Sequence, residues 1–387
     1  MEDKKVQERL KQQVLDIMED ENNPQIKKNK SKNYNKKNNV KKKKHRLLKA
    51  FGMILLSLLL IVVLAVGTKP GRSIIYKLAS KFVYSNIQKP SPKGEDNKEV
   101  INKREPSKDV VHEDYVVNYL IFGIEKIGGA KNTDAMLIVS LNTKDGKIKL
   151  TSLLRDSYVE IPGHKANKLN SAYSRGGVEL LIDTIEKNYM IPISGYASVD
   201  FKAFESLVDL LGGVTIELGK DEAEYLNKTN YISEKSNRNV VAGKNKLNGN
   251  QVMGYVRVRK VKTLGGANYD YGRVVRQQRA LTAMFDSLMS SKNIFKILSI
   301  TKEGLGYVTT DLNQPQIENM LELVVENKMT TLDSFRIPVD GAYEAPKKYN
   351  GVGYPIILDW ETNLIELYKF IYGYSDEEAK AVLATIQ

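Results

Sequence analysis

The feature that most constrains this chain is an uncharged apolar run at residues 50–67, directly after a strongly basic segment. A helix needs about 17–25 apolar residues to cross ~30 Å of hydrocarbon, where it satisfies its own backbone hydrogen bonds. Residues 1–49 hold 16 Lys and Arg against 7 Asp and Glu, so nine of the chain's thirteen net positive charges lie there. This bias predicts a single-pass cell-membrane protein with a cytoplasmic N-terminus and an extracellular body.

A cleavable signal peptide and a buried core helix are the two alternative interpretations of this run. A signal peptide begins within a few residues of its charges, whereas this run follows a tail of 49 residues. A core helix is disfavoured by the segment KKKKHRLLK, which immediately precedes the run. The tail is rich in Asn and Lys, so we expect it to be largely disordered and attracted to membrane lipid, with no nucleic-acid partner.

Composition divides the rest of the chain into a stalk, one main domain and a short tail. We assign residues 68–114 to an extracellular stalk, because their later part is rich in Pro and charge. The apolar pattern is dense over residues 115–375, and residues 376–387 are assigned to a C-terminal tail. Strands that alternate with helices predict one layered α/β domain. The expected strands are 117–124, 135–142, 147–154, 196–199, 213–217, 254–258 and 334–339, and the expected helices are 176–188, 201–211, 248–254, 272–290, 314–327 and 360–372.

The chain contains no Cys and only three His. The lack of Cys excludes disulfides, thiolate nucleophiles and Cys-ligated metal sites. Three His leave little room for a His-built zinc centre or a Ser-His-Asp triad, and none lies near the polar clusters described next. Covalent catalysis through Cys or His is therefore not supported.

Two carboxylates stand at the ends of neighbouring expected strands. Glu125 follows the first strand, and Asp134 opens the second. Carboxylate oxygens are the hard ligands that Mg²⁺ prefers, so the pair is a candidate metal site. Two exposed loop acids are the alternative interpretation of the same pattern.

Arg residues stand out at two further places. Arg155, followed by Asp156, lies where an apolar strand ends. Arg257 and Arg259 are two residues apart on an expected strand, which would direct both guanidinium groups to one face. Placing two cations side by side is unfavourable unless an anion lies between them. Ordinary surface pairs and solvated faces are the alternative for each cluster alone.

A helix expected to begin near Gly272 carries the last cluster. Arg273 and Gln277 are four residues apart and would share one face near its N-terminus, where backbone N–H groups favour phosphate. A basic surface helix is the alternative. Together, several Arg and two carboxylates predict a pyrophosphate site, since Arg binds phosphate bidentately and Mg²⁺ neutralises the remaining charge.

Seven motifs follow one another in a fixed order across residues 115–375. They are IFGIE, NTDAMLIVS, SLLRD, KLNSAYSRGG, DLLGGV, LNGNQVMGYVRVR and DYGRVVRQQ. This series resembles the LytR-CpsA-Psr family of Gram-positive cell-wall enzymes. The resemblance implies a three-layer α-β-α domain with a central mixed sheet and an apolar lipid pocket. It also implies transfer of an anionic glycopolymer, such as teichoic acid or capsule, from an undecaprenyl-pyrophosphate carrier to peptidoglycan, with a phosphodiester formed.

The resemblance further implies site residues when it is carried over motif by motif. The metal-binding carboxylates fall on Glu125 and Asp134, with Mg²⁺ as the expected ion and Mn²⁺ as its alternative. The groups expected to hold the pyrophosphate are Arg155, Lys168, Arg257, Arg259, Arg273 and Gln277, with Asp270 beside them. Two positions depart from the family pattern, since Glu125 stands where Asp is usual and Asn132 stands where Arg is usual.

These residues suggest metal-assisted phosphoryl transfer without a covalent enzyme intermediate. Arg155 and the metal would stabilise the charge that develops on the phosphorus oxygens, and Asp134 or Asp156 would accept the proton of the acceptor hydroxyl. Hydrolysis of the pyrophosphate by water could accompany transfer. The same residues would also suit a non-catalytic scaffold that binds polyprenyl pyrophosphate, or a regulatory membrane protein that attenuates transcription.

Overall fold

The fold is built from strands and helices that alternate along the chain. The structure is a computed structural model that describes residues 8, 12, 67–90, 109–127, 130–289 and 303–386. The chain divides into two units, Met1–Ile75 and Tyr76–Gln387, and every element named below lies in the second unit except the beginning of α1. The helices are α1 (Lys69–Asn86), α2 (Asn170–Tyr189), α3 (Phe201–Leu210), α4 (Lys220–Lys228), α5 (Gly249–Arg257), α6 (Tyr269–Met289), α7 (Gln314–Glu326), α8 (Trp360–Tyr372) and α9 (Asp376–Ile386). The strands are β1 (Val116–Ile127), β2 (Ala130–Asn142), β3 (Lys147–Leu153), β4 (Tyr158–Val159), β5 (Asn167–Lys168), β6 (Tyr196–Asp200), β7 (Val214–Leu218), β8 (Gly243–Leu247), β9 (Thr309–Thr310), β10 (Leu332–Ile337), β11 (Tyr343–Glu344), β12 (Lys348–Tyr349), β13 (Val352–Gly353) and β14 (Ile357–Leu358).

A six-stranded mixed sheet forms the centre of the second unit, in the strand order β10-β3-β2-β1-β6-β9. β1, β2 and β3 pair antiparallel in succession, whereas β6 pairs parallel to β1 and β10 pairs parallel to β3. Gly146 lies in the turn between β2 and β3 with a φ of +68°, a conformation that favours glycine. The mixed sheet implied by the family resemblance is therefore confirmed.

Helices cover both faces of this sheet. On one face, Leu120 and Phe122 of β1 pack in a core with Leu181 of α2, and α8 and α9 contribute to the same core. On the other face, Tyr119 packs in a core with Ile317 of α7. Successive residues of a strand point to opposite faces, so even-numbered and odd-numbered positions of β1 belong to different cores. The resulting layers are helix, sheet and helix.

A second, smaller core lies beside the sheet and is formed by α3, α4, α5, α6 and the β7–β8 hairpin. Val252 and Tyr255 of α5 are fully buried in it. α5 begins with a capping box. The side-chain oxygen of Asn248 accepts from the backbone N–H of Gln251, and the side-chain oxygen of Gln251 accepts from the backbone N–H of Asn248. This cap fixes the register of α5 and hence the position of Arg257, its last residue.

Two assignments made from the sequence differ from the structure. Residues 376–386 form α9, whose Ala379 and Leu383 are buried in the main core, so this segment belongs to the domain and is not a tail. Part of the expected stalk is folded as well, because α1 ends at residue 86 and Gln88 then pairs with Thr309 of β9. Helices in proteins gain most of their stability from the surface that buries their apolar residues, which local composition does not reveal.

The segment expected to span the membrane, residues 50–67, lies outside the described residues except for Gly67. The basic tail also lies outside them, apart from residues 8 and 12. Among the helices in the described ranges, none combines the length and apolar character needed to cross a membrane. The membrane anchor and its orientation therefore stay predictions.

Candidate functional site

An open cavity of about 490 Å³ lies between one face of the sheet and helices α3, α5 and α6. Its apolar walls include Leu137 of β2, Phe204 of α3, Val256 of α5 and Leu281 of α6. Five cationic and two acidic side chains share the lining, namely Arg155, Arg257, Arg259, Lys260, Arg273, Asp134 and Asp200. Apolar walls together with clustered Arg suit an amphiphilic anion, which has an apolar chain and a charged head.

Asp134 owes its position to an irregularity in the β1–β2 ladder. Gly123 pairs with Ala135 and Ile124 pairs with Thr133, which leaves Asp134 as an extra residue between the two pairs. A β-bulge of this kind re-aims a side chain and is frequent beside functional sites. Asp134 and Ala135 therefore both line the cavity, which strict alternation along a strand would forbid.

Arg155 links the two acids that the sequence offers as proton acceptors. Its Nη1 donates to Asp134 Oδ1, and its Nε lies 3.3 Å from Asp156 Oδ2. Lys168 Nζ lies 2.8 Å from the other oxygen of Asp156. Burial lowers the pKa of Arg155, but the nearby carboxylates raise it by more, so the net shift of the pKa is upward. Asp134 and Arg155 line the cavity, whereas Asp156 contacts Arg155 from outside its lining and Lys168 contacts Asp156.

Arg273 is the most deeply buried cation of the cavity wall, with 3% of its surface exposed. Its Nη2 lies 3.1 Å from Asp270 Oδ1, without the geometry of a hydrogen bond. Its Nε and Nη1 are buried and have no hydrogen-bond partner within the described part of the chain. Leaving a buried donor unpaired costs about 1–3 kcal/mol, and more for a charged group. Arg273 therefore brings a buried cation with two unpaired nitrogen donors to the wall of the cavity.

Gln277 follows Arg273 by four residues on α6, and both line the cavity as the helical spacing predicts. The helix begins at Tyr269, three residues before the expected start at Gly272, and Asp270 lies in its first turn. The acidic side chain of Asp270 offsets part of the positive charge that the Arg residues bring together.

Arg257 and Arg259 also line the cavity, but for a different reason than the one expected. The strand prediction over residues 254–258 is wrong, because α5 continues through Arg257 and Arg259 follows in a loop. Packing of α5 on the second core overrides the strand preference of Val and Tyr. Arg259 Nε lies 3.5 Å from Asp270 Oδ1, and the Arg257 guanidinium lies 5.4 Å from the centre of the Phe201 ring.

Glu125, the second expected metal ligand, lies in β1 opposite Asn132, and its side chain is outside the described residues. Within the described ranges, no group of three or more His, Asp or Glu could hold a metal ion. Mg²⁺ needs only one or two carboxylates when substrate phosphates supply further oxygens. The carboxylate of Asp134, which lines the cavity beside Arg155, fits that donor set.

Several cavity residues were not predicted from the sequence. Lys260 lines the cavity and follows Arg259 directly, so the basic run from Arg257 to Lys260 could have identified it as a site residue. Asp200 also lines it, and its side chain caps α3 by accepting from the Ala203 amide at 2.9 Å. The apolar lining carries no local signal, since such residues cannot be told from ordinary core positions by sequence alone.

Known proteins are similar to this chain in sequence. Regulatory protein MsrR from Staphylococcus aureus is 32% identical over 238 residues, which are 60% of this chain and 68% of MsrR. Polyisoprenyl-teichoic acid–peptidoglycan teichoic acid transferase TagU from Bacillus mycoides is 28% identical over 291 residues, which are 74% of this chain and 86% of TagU.

The fold has matches among solved structures as well. The structure of TagT bound to LI-WTA is 26% identical, with a TM-score of 0.52, and the match covers 73% of this chain and 98% of that chain. The LytR_cpsA_psr family model matches residues 82–364, which include every residue assigned to the candidate site. With the match spanning well over half of its length, this chain belongs to the LytR_cpsA_psr family.

Proposed function

We propose that this chain transfers an anionic glycopolymer, of the teichoic acid or capsule type, from an undecaprenyl-pyrophosphate carrier to peptidoglycan. The observation that carries the proposal is Arg273, a cation with buried, unpaired donors that lines a cavity with apolar walls. A lipid pyrophosphate brings acceptor oxygens for those donors and a prenyl chain for the walls. The name of TagU, a teichoic acid transferase, and the LI-WTA bound to TagT support the same conclusion.

The apolar walls contribute binding free energy and control water. Each CH₂ group of a prenyl chain contributes about 0.8 kcal/mol when it is buried. The side chains of Phe204, Val256 and Leu281 would pack against the bound prenyl chain and exclude water with it, and hydrogen bonds between Arg and phosphate are stronger where water is excluded. The carrier lipid is thus held by its chain while its head group meets the Arg cluster.

The reaction we propose is attack by an acceptor hydroxyl of peptidoglycan on the phosphorus that carries the polymer. A new P–O bond forms the phosphodiester, while the bond from this phosphorus to the bridging oxygen breaks and the lipid monophosphate leaves. Arg155, Arg259 and Arg273 stabilise the charge that develops on the phosphate oxygens. Both acids are paired with cations, but Asp134 is better situated to accept the hydroxyl proton, because it lines the cavity and Asp156 does not.

Mg²⁺ is the cofactor that we propose, with Mn²⁺ as the alternative. Asp134 and Glu125 would hold it, and when bound it would act as a Lewis acid on the phosphate oxygens. The hydrogen bond from Arg155 to Asp134 holds the carboxylate of Asp134 at the cavity wall, where the ion would bind. We expect transfer to fall when EDTA removes divalent ions and to return when Mg²⁺ is added, and full activity in EDTA would contradict this assignment.

The proposed location follows from the sequence features outside the described residues. A membrane helix at residues 50–67 would anchor the chain with its N-terminus in the cytoplasm and the catalytic domain outside, where peptidoglycan lies. The basic tail would contact membrane lipid. Labelling with a membrane-impermeant reagent, applied to single-Cys variants in the domain and in the tail, tests this topology.

Transfer of label tests the proposed function directly. The full chain in lipid nanodiscs is given a labelled, lipid-pyrophosphate-linked polymer and peptidoglycan fragments, and we expect label on the peptidoglycan. The Arg273→Ala variant should give little or none. Equal transfer by that variant, or no transfer by the wild-type chain, would contradict the proposal. Release of lipid phosphate when the fragments are omitted would reveal the hydrolytic side reaction.

A regulatory or non-catalytic binding role is the second candidate, and the name of MsrR, a regulatory protein, favours it. The same Arg cluster would then bind a lipid pyrophosphate without transferring anything. The transfer assay separates this candidate from the enzyme. If the chain is an enzyme, deletion of residues 2–40, the basic segment expected in the cytoplasm, should leave polymer attachment intact. If the chain signals through that tail, the same deletion should impair its regulatory role.

A further inference from the structure

Two nearly inaccessible charges of the second core form an ion pair outside the cavity lining. Arg276 is fully buried, Glu222 is 1% exposed, and Arg276 Nε lies 2.8 Å from Glu222 Oε1. Replacing a buried ion pair by apolar residues is often neutral or stabilising, so stability alone does not account for these charges. Their other hydrogen bonds indicate what the pair does.

The pair binds the backbone of residues 258–264, here called the 258–264 loop, at three points. Arg276 Nη1 donates to the Val258 carbonyl at 3.1 Å, and its Nη2 donates to the Val261 carbonyl at 2.9 Å. Glu222 Oε2 accepts from the Leu264 backbone N–H at 3.2 Å and also from the Gly219 N–H at the cap of α4, at 2.9 Å. The 258–264 loop contains no helix or strand, so these bonds replace the backbone ladder that it lacks.

Arg259 and Lys260 lie between the first two of these anchor points, and both line the cavity. Neither belongs to a helix or strand that would fix its direction. A charged group on a backbone that is already held loses less freedom when a ligand binds, and affinity rises accordingly. The buried pair thus controls where two cations of the anion site can lie.

We propose that Arg276 and Glu222 are positioning residues, which hold the 258–264 loop so that Arg259 and Lys260 meet the phosphates of the ligand. The inference rests on the proposed function, since it takes a lipid pyrophosphate as that ligand. The planar fork of Arg276 reaches one carboxylate and two carbonyls at once, which the single ammonium of Lys cannot do. Positive charge at this buried position is therefore not sufficient, and the guanidinium shape is required.

The test measures binding of farnesyl pyrophosphate to the full chain in lipid nanodiscs, by equilibrium dialysis with labelled probe. We expect Arg276→Lys to weaken binding about tenfold, which corresponds to about 1.4 kcal/mol. The matched control is Lys149→Met, because Lys149 is a buried cation paired with Asp145 away from the cavity lining. That control should lower the melting temperature and leave the dissociation constant unchanged.

A double-mutant comparison separates positioning from general loosening of the fold. In the Arg259→Ala/Lys260→Ala background the cations that the loop carries are gone, so Arg276→Lys should then change the dissociation constant by less than about twofold. The same tenfold loss in that background, or wild-type affinity of Arg276→Lys alone, would overturn the inference. Wild-type binding by Arg273→Ala would instead reject the proposed lipid-pyrophosphate site, whatever the loop does.

Two further measurements apply if Arg276→Lys does not fold. Glu222→Gln keeps the size and one acceptor oxygen of Glu222 while removing its charge, and we expect the same dependence on Arg259 and Lys260. Hydrogen exchange of the wild-type chain needs no variant at all. The Leu264 amide should exchange slowly without ligand and change little when farnesyl pyrophosphate binds, whereas fast exchange that becomes slow on binding would show that the ligand, not the ion pair, orders the loop.

Discussion

Arg155 Nη1 donates to Asp134 Oδ1, and this bond ties the end of β3 to the bulge in β2. Both side chains are about four-fifths buried, at 21% and 22% exposure, and both line the cavity. Removing either group takes away the hydrogen bond through which it orients the other at the cavity. The two residues should therefore behave as one functional unit.

We expect Arg155→Ala and Asp134→Ala each to reduce transfer by about 10²–10³-fold, the usual loss when one stabilising group is removed. The double variant should be only slightly slower than the slower single variant, because the second change removes a group already misplaced. Transfer rates to peptidoglycan fragments measure this. Arg175→Ala, which changes an exposed Arg of α2 outside the cavity lining, should keep the wild-type rate. Multiplicative losses in the double variant would show that the two groups act independently.

Arg273→Met should separate stability from activity. The change removes buried donors that lack partners, so the free energy of unfolding without ligand should stay the same or rise by about 1–3 kcal/mol, while transfer is lost. Denaturant unfolding followed by circular dichroism measures the first effect. The control is Arg276→Met, which removes a buried Arg whose three guanidinium nitrogens each donate a hydrogen bond and should destabilise by about 3–5 kcal/mol. Equal destabilisation by both variants would mean that Arg273 is already satisfied without ligand.

The grouping of the Arg residues could be predicted, although part of the reasoning behind it was wrong. Arg273 and Gln277 share a helical face as their spacing predicts. Arg257 and Arg259 reach the same cavity from a helix end and a loop, not from one strand. The strand prediction failed because burial of α5 in the second core decided its conformation, and that core is assembled from distant parts of the chain.

The bulge at Asp134 could not be predicted, because it depends on how β1 and β2 pair and not on either strand alone. The same limit applies to Arg276 and Glu222, which are 54 residues apart in the sequence. Local periodicity describes single elements well, whereas pairing register and buried ion pairs depend on tertiary contacts.

Leu383→Ala tests the finding that α9 is part of the domain. Leu383 is 4% exposed in the main core, so its truncation should lower the free energy of unfolding by about 2–5 kcal/mol. Urea unfolding measures the change. Thr385→Ala, at an exposed position of the same helix, should lie within about 0.5 kcal/mol of the wild type. If both variants have wild-type stability, residues 376–386 would be a tail after all.

Leu281→Trp tests whether the cavity holds the lipid chain and not only the head group. Leu281 lies on α6 two turns after Arg273 and lines the cavity, so a larger side chain there takes space from a prenyl chain and leaves the Arg cluster in place. We expect at least about tenfold weaker binding of a long-chain prenyl pyrophosphate, with binding of inorganic pyrophosphate unchanged. Competition dialysis with both ligands measures the two affinities on one sample. Leu288→Trp, at an exposed position further along the same helix, should change neither affinity. If Leu281→Trp weakened the binding of both ligands equally, the substitution would be acting through the Arg cluster. The apolar walls would then have no separate role in binding the lipid.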